Sequence, residues 1–259
     1  MEEYLKDINY NFVIFATLWM IALCCERLFK PEEPDVGMIN RETKSEVVYP
    51  FFNTLFLMPL SYFIIMVMQG LDIPLHIMQE GIEKQNIWIQ AFIALVLFDF
   101  VTYWRHRLTH AYAWKFHAVH HSAEHITWLT NFRMHFVDYI IALFFSTITV
   151  YVLGFEGMAL IYASLFYVFY STFLHFNIKL DYPAPIKYIF ASPHLHRWHH
   201  AKDKKSMDKN YANLFSFFDV VFGSYYSPIE SPEKYGIFER KNKKTPLTFL
   251  GQLIYPFKS

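Results

Sequence analysis

The chain has 259 residues, of which 54% are apolar, 20% are aromatic and only 18% carry a charge. This charged fraction is below the roughly one quarter that is usual for a soluble domain, so the composition favours a membrane-embedded protein of one domain. Basic and acidic side chains balance at 23 each, which argues against a nucleic-acid partner. Cys24 and Cys25 are adjacent in an apolar run and indicate neither a disulfide framework nor a thiolate metal site.

Apolar segments predict the membrane-spanning helices, each of which needs about 20 residues. Five candidates follow in chain order, at residues 10–25, 47–68, 87–104, 138–153 and 157–176. The first and the fourth are short, and a four-helix alternative treats the last two as a re-entrant pair. The first is interpreted as a retained helix and not a signal peptide, because it follows Met1-Glu2-Glu3, with no basic n-region and no small-residue cleavage pattern.

The distribution of lysine and arginine predicts the orientation of these helices. The loop after the first span carries four basic residues, whereas the loop at 69–86 carries Lys84 alone. The first loop is therefore predicted to be cytoplasmic and the second external. The fourth and fifth spans are predicted to form a hairpin through residues 154–157. With five spans and a cytoplasmic first loop, we expect the N-terminus outside and the C-terminus inside.

Twelve of the 13 histidines lie between His106 and His200, and eight of them form three clusters with helical spacing. Residues three and four apart lie on one helix face, so each cluster directs its imidazoles in one direction. Imidazole binds iron, zinc, copper and nickel. Eight clustered imidazoles, with His135 and His175 nearby, exceed the needs of one ion and predict two metal ions. The clusters are His106-x-x-x-His110, His117-x-x-His120-His121 and His196-x-x-His199-His200.

A longer pattern surrounds these clusters between about residues 95 and 225. It consists of Asp99-x-x-x-Tyr103-x-x-His106-Arg107-x-x-His110, Trp114-x-Phe116-His117-x-x-His120-His121-Ser122, Asn131-x-Arg133-x-His135, His175-x-Asn177, Pro193-x-x-His196-Arg197-Trp198-His199-His200, Asp208-Lys209-Asn210-Tyr211-Ala212 and Phe218-Asp219-x-x-Phe222-Gly223. This pattern strongly resembles the fatty acid hydroxylase and sterol desaturase superfamily of integral-membrane di-iron oxygenases.

The resemblance implies two iron ions as the cofactor. His135 is the expected tenth ligand, since many sterol-acting members have histidine there, although Phe136 stands where many of them have proline. His125 and His194 fall outside the ligand spacing, and His76 lies on the predicted external loop. The nine ligands that carry over directly are His106, His110, His117, His120, His121, His175, His196, His199 and His200.

Polar residues near the clusters are expected to hold imidazole N–H groups. Asp99 lies two helical turns before His106, so its carboxylate is expected to point toward the site. An ionisable residue inside a predicted span also indicates a functional role. The residues expected to support the reaction are Asp99, Asn177 and Asp219, with Asp138, Asp208 and Asn210 as weaker candidates.

The implied reaction is the O2-dependent hydroxylation or desaturation of a lipid such as a fatty acyl chain or a sterol. Aromatic residues of the fifth span are candidates to line its access, with ordinary packing as the simpler explanation. No Rossmann, haem-attachment or iron–sulfur motif is present, so electrons must come from a partner, either a ferredoxin or a cytochrome b5-like protein with its reductase. The lysines at 202, 204, 205 and 209 are a candidate docking surface, with solvation or anionic lipid as alternatives.

The sequence therefore predicts an all-α, polytopic membrane protein with about four to five transmembrane helices and a cytoplasmic helical cap that carries the dimetal site. Residues 1–94 form a transmembrane scaffold, 95–225 the catalytic domain and 226–259 a cytoplasmic tail. A membrane zinc hydrolase remains an alternative, although the motifs lack H-E-x-x-H. A metal transporter or a b-type cytochrome is a further alternative, but it would place its ligands near the bilayer midplane.

Overall fold

The computed structural model describes residues 2–37, 39–70, 79–82, 84–153, 155, 157–238 and 245–258. These residues form helices and loops without a β-strand, apart from one isolated bridge between Ala201 and Tyr235. A π-helical turn occupies Asn53–Leu57, and 3-10 turns occupy Trp128–Phe132, Ile186–Tyr188 and Tyr255–Phe257. The α-helices are α1 (Glu2–Leu28), α2 (Thr43–Glu46), α3 (Val48–Phe52), α4 (Met58–Gly70), α5 (Gln79–Ile82), α6 (Ile87–Tyr112), α7 (Trp114–His121), α8 (Phe136–Leu153), α9 (Gly157–Leu174), α10 (Pro193–His199), α11 (Phe217–Val221) and α12 (Phe249–Ile254).

Two of the described helices, α6 and α9, are both long and apolar enough to cross a membrane. The apolar part of α8 that the structure describes, Phe136–Thr147, is shorter. The predicted second span at 47–68 is divided among α3, the π-helical turn and α4. The all-helical fold is confirmed for the described residues. The count of four to five spans and the side of the membrane stay predictions. His76, Gly154 and Glu156 lie outside the described residues.

Helix α6 is the central element, since it packs against both α8 and α9. It begins after Asn86, whose side chain accepts a hydrogen bond from the Trp88 backbone N–H and so caps the helix. It continues eight residues beyond the predicted end of the third span and thereby carries His106 and His110 on its last turns. After a break at Ala113, α7 begins.

The segments beyond the ends of α6 and α9 fold back over them and form a cap. Aromatic residues of the segment 211–222 pack on the C-terminal half of α6 in a buried cluster around Tyr103, Tyr211 and Phe218. Helix α10 begins at Pro193, a favoured first position, after the Ser192 side chain accepts the Leu195 backbone N–H. Helices α7 and α10 meet within this cap, where the rings of His121 and His199 have centroids 4.5 Å apart.

Candidate metal centre

Four helix ends supply nine imidazoles to one buried region. Helix α6 contributes two, α7 contributes three, the end of α9 contributes one, and α10 with the residue after it contributes three. They form two groups, within each of which the potential ligand atoms all lie within 4.8 Å of one another. The five-histidine group contains His106, His110, His117, His121 and His199, and the four-histidine group contains His120, His175, His196 and His200.

In the five-histidine group the Nε2 atoms converge. The Nε2 of His106 lies 2.9 Å from that of His117 and 3.0 Å from that of His199. The Nε2 of His121 lies 3.1 Å from that of His117 and 3.2 Å from that of His110. Histidines that are 93 residues apart along the chain therefore direct the same ring atom at one point.

The four-histidine group repeats this arrangement beside the first. The Nε2 atoms of His175 and His196 are 3.0 Å apart, and those of His196 and His200 are 3.2 Å apart. The ring of His200 stacks on that of His121 in the five-histidine group, with centroids separated by 4.5 Å. The two groups are thus immediate neighbours.

The opposite ring nitrogens fix the tautomers of four histidines. Nδ1 of His106 donates to the Tyr211 carbonyl at 2.8 Å, and Nδ1 of His199 donates to the Lys209 carbonyl at 2.7 Å. In a neutral imidazole with its proton on Nδ1, Nε2 carries only a lone pair. The close Nε2 atoms of these two rings are therefore two acceptors that face each other, an arrangement that a shared cation stabilises.

The same tautomer is fixed at His117 and at His175. Nδ1 of His117 donates to the Asp138 carboxylate at 2.7 Å, and Nδ1 of His175 donates to the Ser171 carbonyl at 2.8 Å. Asp138 is fully buried and also lies 3.4 Å from the Arg105 guanidinium. A carboxylate behind a metal-binding imidazole orients the ring and raises its basicity, so the site contains the kind of support that such ligands need.

The nitrogen spacing fits a metal ion in each group. Two imidazoles that bind one ion at right angles, with bonds of about 2.1 Å, have nitrogens about 3.0 Å apart. The closest Nε2 pairs of both groups lie between 2.9 and 3.2 Å apart. Imidazole donors suit iron, zinc, copper and nickel alike, so the donor set fits two transition-metal ions without selecting the element.

Burial favours the neutral form of several of these imidazoles, which is the form that binds metal. Desolvation lowers the pKa of His121 and His199 well below the ordinary value, and the neighbouring histidines lower it further. Burial also lowers the pKa of His175, to about 4. Protonation therefore does not compete with metal binding at neutral pH.

Two of the three residues predicted to support the reaction accept hydrogen bonds from the backbone of a loop and not from a histidine ring. Asp99 accepts the backbone N–H groups of Leu214 and Phe215, at 3.0 and 2.6 Å. Asp219 accepts the N–H groups of Tyr211 and Ala212, at 2.8 and 3.0 Å. Because the Tyr211 carbonyl accepts the proton of His106, the two carboxylates position the five-histidine group through the backbone.

Asn177 and the weaker candidates also act on the surroundings of the site. The Asn177 side chain accepts the Glu33 N–H at 2.9 Å and donates to the Glu33 carbonyl at 3.0 Å, which joins the end of α9 to the segment after α1. Asn210 donates to the carbonyls of Leu195 and Tyr226. Asp208 lies 3.4 Å from Nδ1 of His110.

His135 is not brought into either group. Its Nδ1 accepts the Val137 backbone N–H at 3.2 Å, and its Nε2 donates to the Leu253 carbonyl at 3.0 Å. Both ring nitrogens are therefore engaged, and neither presents a lone pair to a metal ion. His125 and His194, which fall outside the ligand spacing, bond to Glu33 and to the Pro228 carbonyl.

Buried ion pairs that the sequence interpretation missed enclose the site. Arg133 forms a 2.9 Å ion pair with Glu42 and donates to the Val119 carbonyl between the α7 histidines. Arg197, beside His196, forms a 3.1 Å ion pair with Glu33. The loop after the first predicted span also contains glutamates, which the positive-inside rule ignores because it counts only lysine and arginine. Those glutamates were the sequence signal for these ion pairs.

A cleft of about 310 Å³ opens onto the five-histidine group. Three histidines of that group line it, together with apolar side chains from the cap. Met207 and Phe238 at its rim are about half exposed. The lining residues are His110, Trp114, His121, His199, Ala201, Met207, Asp208, Gly236, Ile237 and Phe238.

The fold and the site define a helical protein with a buried, two-group histidine centre that fits two metal ions. The sequence profile of the fatty acid hydroxylase family matches residues 91–224, which is more than half of the chain and includes all nine histidines. The chain belongs to the fatty acid hydroxylase family.

Individual relatives give the same result. The ornithine lipid hydroxylase OlsE of Rhizobium tropici is 31% identical over 66% of this chain and 52% of its own length. The human alkylglycerol monooxygenase is 28% identical over 62% of this chain and 35% of its own length, and the zebrafish (Danio rerio) protein is 29% identical over 62% and 35%. The chain thus spans about half or less of the length of these relatives. No solved structure matches it.

Proposed function

We propose that this protein is a membrane-bound, O2-dependent di-iron enzyme that hydroxylates a C–H bond of a lipid. The observation that carries the proposal is the convergence of nine imidazoles in two adjacent groups, eight of them buried. Membership of the fatty acid hydroxylase family supports the lipid class of substrate. The names of the relatives, a hydroxylase and monooxygenases, favour hydroxylation over desaturation.

The five- and four-histidine groups would each hold one iron ion. When bound, such a pair of ions supplies the capacity to activate O2 and to attack an unactivated C–H bond. The protein holds the imidazole protons away from the ions, on Nδ1, through Asp138 and the carbonyls of Tyr211, Lys209 and Ser171. Burial of eight of the nine histidines restricts the access of bulk water to the cleft beside the five-histidine group.

Electrons are proposed to arrive from a ferredoxin or a cytochrome b5-like protein at the lysine-rich segment 202–209. The exposed Lys204 and Lys205 belong to this segment, and an acidic partner would complement their charge. The carbonyl of Lys209, at the end of the segment, accepts the Nδ1 proton of His199. The surface segment is therefore bonded directly to a proposed ligand.

The metal content tests the core of the proposal. We expect anaerobically purified protein to contain two iron ions per chain and to give the Mössbauer spectrum of a non-haem di-iron centre. A single zinc ion per chain would support the zinc hydrolase alternative and contradict the proposal. Lipid analysis of cells with and without the gene should show products that are heavier by one oxygen atom, whereas a loss of two hydrogens would indicate desaturation.

A pair of variants on α10 tests the ligand role. We expect His199→Ala to abolish lipid oxidation and to lower the iron content, because its Nε2 belongs to the five-histidine group. His194→Ala is the matched control, since His194 lies on the same helix and bonds to the Pro228 carbonyl outside both groups. Full iron content and activity in His199→Ala would disprove its role as a ligand.

A further inference from the structure

The cleft beside the histidines is lined by only one of the two histidine groups. His110, His121 and His199 of the five-histidine group line it, whereas no member of the four-histidine group does. The members of the four-histidine group are all buried, with at most 7% of their surface exposed. An approach through this cleft therefore reaches one group before the other.

The hydrogen bonds that hold the rings also differ between the two groups. Among the described residues, Nδ1 of His196 and Nδ1 of His200 have no hydrogen-bond partner. In contrast, Nδ1 of His106, His117 and His199 each has an acceptor. The group that faces the cleft is thus the one whose rings are held most firmly.

One part of the cleft wall is apolar and is attached to the site, beside the polar side chains of the three histidines and Asp208. Trp114, Ile237, Met207 and Phe238 supply indole, aliphatic, thioether and phenyl surfaces. The backbone N–H of Gly236 donates to the His200 carbonyl at 3.3 Å, so the wall at 236–238 is fixed to the segment that carries the ligands. Apolar side chains that stay exposed at a rim indicate a surface for an apolar ligand.

The size of the cleft limits its occupant. A volume of about 310 Å³ is at the lower end of the range for small-molecule sites, so it accommodates one alkyl segment and excludes a whole two-chain lipid. We propose that this cleft binds a single alkyl chain of the lipid substrate and delivers it to the five-histidine group alone, which makes the two ions inequivalent. This inference rests on the proposed di-iron function.

Azide, a small anion that binds ferric iron, is the probe for access. Oxidised protein loaded with ⁵⁷Fe in lipid nanodiscs should show two Mössbauer doublets, and saturating azide should alter only one of them. His110→Gln removes a ligand of the five-histidine group and should alter that same doublet without azide. Equal changes of both doublets, or a change of the other one, would overturn the inequivalence.

Filling the cleft tests the route. Ile237→Trp should reduce azide binding at least tenfold, and the doublets without azide show whether both ions are still held. Ile229→Trp is the matched control because Ile229 is 94% exposed and does not line the cleft, so its azide binding should be unchanged. Unaltered azide binding in an Ile237→Trp protein that retains both doublets would contradict the route.

An alkyl probe tests the occupant. We expect 1-octanol to weaken azide binding in the wild-type protein and to have a much smaller effect in Ile237→Trp. If 1-octanol leaves azide binding unchanged in the wild-type protein, the cleft does not bind an alkyl chain. The iron content is measured first, because protein without two iron ions would refute the proposed function, whereas two equivalent ions would refute only this inference.

Discussion

A single carboxylate determines how one histidine of the centre is held. Asp138 is the first acidic residue of α8, and it accepts the Nδ1 proton of His117 while it faces the Arg105 guanidinium. The carboxylate thus compensates a buried cation and orients an imidazole at the same time. Its charge, and not only its hydrogen-bonding capacity, is important for the site.

Asp138→Asn tests that charge. We expect the affinity for one of the two iron ions to fall about 10–100-fold, since loss of a group behind a metal-binding histidine has effects of this size. Competition with a chelator measures the affinity. Asp35→Asn, at an exposed position, is the control and should bind iron as the wild-type protein does. Equal affinities in both variants would show that Asp138 does not support the ion.

Residue type and spacing predicted eight of the nine converging histidines because helical periodicity determines which side chains share a face, and the family resemblance added His175. The same reasoning failed to exclude His135. Its Nε2 is engaged by the carbonyl of Leu253, 118 residues further along the chain, and no local pattern reveals such a contact. Asp138, a weaker candidate in the sequence, does accept the Nδ1 proton of His117 as expected of such a residue.

At the scale of elements, the short helix α10 depends on its first turn. It spans only Pro193–His199, a length at which an isolated helix is unstable, and yet it supplies histidines to both groups. The Ser192 side chain accepts the Leu195 N–H and donates to the Asp181 carboxylate at 2.7 Å. Ser192 therefore connects the helix to the preceding loop.

Ser192→Ala should destabilise the protein by about 1 kcal/mol, the usual cost of losing an N-terminal cap. For a chain of this size the midpoint of thermal unfolding should fall by about 2–4 °C. Tryptophan fluorescence during heating in detergent measures this shift. Ser192→Thr keeps the capping hydroxyl and should retain most of the stability. An equal loss in both variants would indicate a steric cause and not a lost cap.

The long apolar helices were predictable from their apolar runs, α10 was indicated only by the spacing of its histidines, and α11 was not predicted. Helices α6 and α9 follow from apolar runs that are visible in the sequence. Helices α10 and α11 contain seven and five residues, and tertiary contacts stabilise them more than their own propensity does. The predicted apolar span ended at residue 104, whereas the helical spacing of His106 and His110 indicated the last turns of α6, which are polar and bury their histidines against the cap.

At the scale of the whole molecule, the segment after α1 is joined to the cap by buried ion pairs. Glu42 and Arg133 are 91 residues apart in sequence and are both almost fully buried. Glu46 lies 3.5 Å from the same guanidinium and accepts the Thr130 hydroxyl at 3.1 Å. Sequence patterns do not reveal which buried charges will pair across such a separation, so this connection could not be predicted.

The Glu46 carboxyl should make stability depend on pH. Burial raises the pKa of Glu46 from 4.5 to about 7, against the opposing effect of Arg133. Between pH 4.5 and 7 the folded protein therefore keeps a proton that the unfolded chain releases, and stability falls as the pH rises through this window. The uncharged Glu46→Gln variant should show a smaller fall.

Thermal unfolding at pH 5 and at pH 7.5 measures the effect. The unfolding midpoints of the wild-type protein and Glu46→Gln should be close at pH 5, and the variant should be the more stable at pH 7.5. Contributions from the histidines are common to both proteins and cancel in the difference. Glu230→Gln, at an exposed position, should follow the wild-type protein. A difference that does not change with pH would refute the titration of Glu46 in this range.

The order of the histidines along the chain determines when the centre can be completed during synthesis. Both groups need α10, since His199 belongs to one group and His196 and His200 belong to the other. Helices α6 and α9 leave the ribosome before α10 does, so they are made while both groups still lack histidines. On the proposed function, neither iron ion can therefore have its full set of ligands until α10 has been made.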